Sequence, residues 1–123
     1  ASRGLGDVYK RQEDSHTELA SWAKLFKSLS DPHRLQIIQH LQLGEHRVAD
    51  LVDHLGLAQS TVSTHVASLR NAGLLASHTH GRATYYTLAH PQETAQLLTA
   101  TSAVLTSADT CIESSQQKGT SHV

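Results

Sequence analysis

The residues best equipped for chemistry stand close together: Gln59, Ser60, Thr61, Ser63, Thr64 and His65, interrupted only by Val62. Short hydroxyl and amide side chains offer both donors and acceptors with little bulk around the backbone. On a helix this spacing turns Val62 and Val66 to one face and leaves the polar groups on the other. Such a face suits approach to base edges or phosphate oxygens when the helix N-terminus enters a major groove. Arg70 extends the set, and His80 and Arg82 form a second polar point further along. Arg82 is the stronger expectation for a phosphate or minor-groove contact, because a guanidinium pairs well with phosphate. Plainer roles stay open for each: Ser60 or Thr61 as a helix cap, His65 as a packed histidine, Arg70 as partner to a neighbouring acid. The segment His80-Gly81-Arg82 also reads as a simple solvated turn.

The net charge of −1 speaks against a polyanionic partner only as an average. No acidic residue occurs between Asp53 and Glu93, a stretch that carries Arg70, Arg82, His54, His65, His78, His80 and His90. Charge acts locally, since screening limits its reach to about 8–10 Å. A single cysteine, Cys111, leaves no internal disulfide framework and fits a reducing cytoplasm. No run approaches the ~20 apolar residues that cross a bilayer, and no signal-peptide pattern opens the chain, so a cytoplasmic location without membrane attachment is expected. The ten histidines are scattered, without a His-x-x-x-His pair on one helix, and no glycine-rich phosphate loop is present. Without clustered acid, base and nucleophile groups, an enzyme is not expected.

The elements that position these residues follow from periodicity. Residues 1–14 lack a sustained apolar period and read as a disordered extension, resembling a translated adapter artefact. From Thr17, Leu19, Trp22, Ala23, Leu25, Phe26 and Leu29 recur at helical spacing. Asp31 and Pro32 open a second helix bearing Leu35, Ile37, Ile38 and Leu41, which stops near Gly44. A short third helix carries Val48, Leu51, Val52 and Leu55, and Gly56 allows the left-handed turn that follows. The fourth begins at Gln59-Ser60-Thr61 and presents Val62, Val66 and Leu69 inward, with Ala72 as a further apolar position, ending at Gly73. Leu74–Ser77 and Ala83–Leu88 read as strands joined by the turn His78-Thr79-His80-Gly81-Arg82. A last helix runs from Pro91 to about Ser107 with Leu97, Leu98, Val104 and Leu105, before a polar tail over 109–123. The fold class is therefore mainly α with a small β-hairpin wing, a winged helix-turn-helix over residues 15–108.

The segments LFKSLSDPHRLQIIQHL, DLVDHLGLAQSTVSTHVASLRNAGLL and GRATYYTL together resemble the ArsR/SmtB family of repressors of metal and metalloid resistance. The resemblance covers roughly residues 17–107. It implies a homodimer through the first and last helices, with Leu19, Trp22, Phe26, Leu97, Leu98 and Leu105 at the interface; the same stripes also suit packing within a monomer. A dimer sets two reading helices about 34 Å apart, matching an inverted-repeat operator in double-stranded DNA.

The resemblance also implies release from the operator by a divalent ion such as cadmium, lead or zinc. The family's third-helix thiol box corresponds to Glu45-His46-Arg47-Val48-Ala49-Asp50, which has no cysteine. The paired ligands of the last helix are missing, although His90 falls near the first of them. The cadmium- and lead-sensing branch is the nearest, yet Ser68 and Ala72 replace its recognition-helix cysteines, and only Cys111 stands where its tail ligand belongs. Cys111, Asp109 and His90 are accordingly the expected metal ligands, with Glu113 and His122 as further donors. Cys111 as an incidental thiol, and a regulator of the same fold without a metal effector, stay open as alternatives.

Overall fold

The computed structural model describes the backbone of residues 2–120 and the side chains of residues 16–107. Its elements are α1 (Ser2–Leu29), α2 (Pro32–Gln42), α3 (Val48–Leu55), α4 (Gln59–Asn71), β1 (Leu75–His80), β2 (Ala83–Leu88) and α5 (Pro91–Thr120). They fall into two units, Ala1–Ala89 and His90–Val123.

The first unit is built around α2. Asp31 caps it, its Oδ1 accepting from the backbone N–H of His33 at 2.8 Å and of Arg34 at 3.3 Å. Pro32 takes the first helical position, where the absent N–H leaves nothing unsatisfied. Ile37, Ile38 and Leu41 then point into a core completed by Leu51, Val62, Val66, Leu69, Leu74, Leu75 and Leu88. Full burial of each such aliphatic side chain is worth about 1.5–3 kcal/mol, so this core holds α2, α3, α4 and the hairpin together. Of the inward set expected on α4, Val62, Val66 and Leu69 are buried, while Ala72 is half-buried and forms the C-cap. Leu55 of α3 is only half-buried, and Leu51 carries that helix's contact with the core.

Gly56 closes α3 with φ 68°, donating its N–H to the Val52 carbonyl at 2.9 Å. An L side chain resists that left-handed backbone, so glycine is what lets α3 turn steeply into α4.

β1 and β2 pair antiparallel in the register Leu75↔Leu88 through His80↔Ala83. The connecting turn is therefore Gly81-Arg82 and not the longer His78–Arg82 segment expected. Gly81 alone supplies the positive φ, at 62°, that a two-residue hairpin loop demands at its first position. This frees His78, Thr79 and His80 to join the ladder. His46, in the link between α2 and α3, adds a third edge by exchanging backbone hydrogen bonds with Tyr86 at 2.8 and 3.1 Å.

The second unit is α5. Its backbone continues beyond Ser107 to Thr120, and α1 begins at Ser2, ahead of Thr17 and within the segment read as disordered. The apolar stripes mark where a helix has a face to bury, whereas helical backbone propagates through polar sequence as well. Among the described residues, no helix is long and apolar enough to cross a membrane.

Candidate nucleic-acid interface

With Val62, Val66 and Leu69 buried, α4 turns Gln59, Ser60, Thr61, Ser63, Thr64 and Arg70 to solvent. Its N-cap is Ala58, which makes no side-chain hydrogen bond, so neither Ser60 nor Thr61 caps the helix. Among the described residues, the first-turn N–H groups therefore have no side-chain acceptor, unlike those of α2, at the positive end of the helix dipole. That end favours an anion. Thr64 donates its hydroxyl to the Ser60 carbonyl at 2.9 Å, which keeps its oxygen as an acceptor toward solvent.

His65 is half-buried, and its Nδ1 accepts from Arg34 Nε at 3.1 Å. This bond sets the neutral tautomer with the proton on Nε2, leaving one donor on the ring. Arg34 also donates to the Ser28 carbonyl at 3.3 Å, so one guanidinium ties α1, α2 and α4 together. Arg34 lies in the segment that follows Asp31-Pro32, and nothing in the sequence marks it as a link between helices. A groove lined by Lys24, Lys27, Arg34, Ser68 and Asn71 runs beside it, giving α4 a cationic flank. The three-residue spacing of Lys24 and Lys27 on α1 was the available signal.

Arg70 is exposed and, among the described residues, makes no ion pair; the expected alternative of a neighbouring acid has no support. It borders a shallow groove with Ser63, Ala67, Asn71, Val48 and Tyr86, between α3, α4 and β2. Arg82 is exposed in the hairpin turn, likewise without an ion pair among the described residues.

The acid-free stretch is less acid-free in space than in sequence. Glu45 Oε2 lies 2.5 Å from His78 Nε2 and 4.0 Å from His80 Nε2. His80 therefore stands near a carboxylate, and Arg82 is the hairpin's unencumbered cation. Arg47 is similarly occupied, its Nη2 donating to Asp50 Oδ1 at 3.1 Å while its backbone N–H donates to Oδ2 at 2.9 Å. Those bonds hold the Asp50 carboxyl down at about 2.

Among the described residues, two groups of side chains could hold a cation: His40 with His46 and His54, and Glu45 with His78 and His80. Neither contains an expected ligand. The side chains of Cys111 and Asp109 lie outside the described residues, and His90 is exposed immediately before α5. Of the expected interface residues, Leu19, Trp22, Phe26 and Leu105 are each more than half exposed, and Leu97 and Leu98 are half-buried.

Comparison with known proteins agrees with this geometry. Residues 31–77 match the model of the bacterial regulatory protein, arsR family. The arsenical resistance operon repressor of Staphylococcus xylosus is 37% identical over 62% of this chain and 70% of its own length. The probable mercury resistance operon repressor of Streptomyces lividans is 33% identical over 57% of this chain, which spans only 56% of that relative. The homodimeric winged helix-turn-helix DNA-binding domain Mb0332 of Mycobacterium bovis, solved by NMR, superposes with a TM-score of 0.68 at 27% identity, covering 74% of this chain and 83% of that one. The chain belongs to the arsR family of bacterial regulatory proteins. Its fold is that of winged helix-turn-helix transcriptional regulators, not of enzymes.

Proposed function

We propose that this protein is a homodimeric, sequence-specific transcriptional repressor that reads double-stranded DNA with α4 and grips the backbone with its hairpin. The observation that carries the reading is the face of α4: an uncapped N-terminus, then hydroxyl and amide groups, on a helix fixed from behind by three buried aliphatic residues. Gln59, Ser60, Thr61, Ser63 and Thr64 are the base-reading set, Arg70 and Arg82 the phosphate set, and His65 and His80 contribute from the margins. The exposed Leu19, Trp22 and Phe26 of α1, with Leu97, Leu98 and Leu105 of α5, favour pairing of two copies. Residues 15–108 form the working domain in this reading.

Selection of bound duplexes from a randomised pool tests it. Enrichment of inverted repeats with half-sites about one helical turn apart supports the reading, and a pool left unenriched refutes it.

Release from the operator by a divalent cation is the second part of the proposal. The histidine clusters support it, as does the kinship with repressors named for mercury and arsenical resistance. Zinc or cadmium titrated against the DNA complex should lower operator affinity. Unchanged affinity would favour a regulator of the same fold without a metal effector.

A further inference from the structure

We infer that His40, His46 and His54 form a site for a borderline divalent cation, of which zinc is the reference ion. The cation would clasp the end of α2, the α2–α3 link and the last turn of α3. The ligand nitrogens of the three imidazoles already lie within 4.8 Å of one another. Zinc–nitrogen bonds of about 2.0–2.1 Å in a tetrahedron place ligand nitrogens roughly 3.3 Å apart, so closure is a matter of side-chain rotation. His40 and His54 stack at 4.8 Å between ring centroids with 14° between planes, and His46 stands edge-on to both at 6.1 and 5.5 Å.

The protein already supplies an outer support for one ligand. His46 Nδ1 lies 2.9 Å from the Gly44 carbonyl oxygen, which can only accept, so Nδ1 donates and Nε2 is left with its lone pair outward. A backbone carbonyl behind a ligating imidazole is the usual arrangement for fixing the tautomer and raising basicity. Among the described residues, His40 and His54 have ring contacts but no hydrogen bond, so both keep nitrogens available. The second cluster is different in kind: Glu45 and His78 already satisfy each other. The plain alternative for the histidine triad is packing of surface rings, and ring packing does not account for a tautomer set from behind.

The site would bear on DNA through its neighbours. His54 belongs to α3, which positions α4, and the backbone of His46 is bonded to Tyr86 of the wing strand β2. Drawing these imidazoles together changes how α3 and the wing are held, and a cation favouring one arrangement must be weakened by DNA that favours the other. This consequence rests on the metal-release reading; the site itself does not.

The test uses the whole 123-residue chain and cobalt(II) alone as a spectroscopic probe, with zinc as competitor. One cobalt per chain should bind with the visible absorption of a four-coordinate nitrogen-rich site, and Cys111→Ser should leave the spectrum unchanged. His54→Ala, at an exposed position, should weaken binding by about tenfold or more with circular dichroism unaltered, and His46→Ala should do the same. His78→Ala should have no effect. Cobalt bound equally well by His54→Ala, or lost in His78→Ala or Cys111→Ser instead, overturns the site. Zinc binding through the triad with unchanged operator affinity would retain the site and overturn metal release. Metal-dependent release that persists in His54→Ala and His46→Ala would do the reverse.

Discussion

Single residues here divide into those that face a partner and those that hold the facing residues still. Ser63 is of the first kind: exposed, without a side-chain hydrogen bond among the described residues, beside the groove that Arg70 borders. Ser63→Ala should redistribute base preference at one position of each half-site, since a base contact discriminates by about 1–3 kcal/mol; competition among single-base variants of the selected duplex would read this. Arg34 is of the second kind, because it reaches both His65 and the Ser28 carbonyl. Asp50 holds the start of α3 in place. Its carboxyl is depressed to about 2, chiefly by the side-chain hydrogen bond from Arg47, then by the backbone bond from the same residue. The native state therefore binds fewer protons than the unfolded chain. The stabilisation is complete above the ordinary carboxylate value of about 3.9 and is lost as pH falls toward 2. Urea unfolding of Asp50→Asn should show lower stability at neutral pH and a shallower decline between pH about 4 and 2. An identical pH slope in both proteins would deny Asp50 that role.

At the scale of elements, the winged unit depends on a few aliphatic anchors and on a hairpin of fixed register. Leu69 is fully buried at the back of α4, and Leu69→Ala should cost about 2–5 kcal/mol in denaturant unfolding. A loss below about 1 kcal/mol would mean that α4 is not seated as described. Arg82 occupies the second position of the two-residue hairpin turn, so Arg82→Ala should weaken all duplexes about equally and reduce the salt slope of binding by about one unit. Much of this scale was legible beforehand. The three- and four-residue spacing of Ile38, Leu41, Val62, Val66 and Leu69 reports helices directly, and Asp31-Pro32 and Gly56 mark their ends. What periodicity does not carry is pairing across elements. His40, His46 and His54 come from two helices and the link between them, and Glu45 meets His78 only because the α2–α3 link adds an edge to the hairpin. The hairpin's register was also missed, because a strand that includes His78, Thr79 and His80 lacks the alternation of a half-buried strand.

For the whole molecule, reading an inverted repeat requires two copies of the chain. Leu19, Trp22 and Phe26 follow one stripe of α1 and are 58%, 53% and 56% exposed in a single chain, an apolar patch of the kind that marks an interface. Trp22→Glu should shift sedimentation from dimer to monomer and abolish tight binding to an inverted repeat, while leaving weak binding to one half-site. A variant that stays dimeric would remove α1 from the interface. The central claim is that the outward face of α4, assisted by the hairpin turn, is what touches DNA. Amide NMR shifts of the whole chain titrated with its selected duplex test this most directly. The largest changes are expected at Gln59–His65, Arg70 and Gly81–Arg82. Changes concentrated elsewhere, with those amides unmoved at saturation, would contradict it.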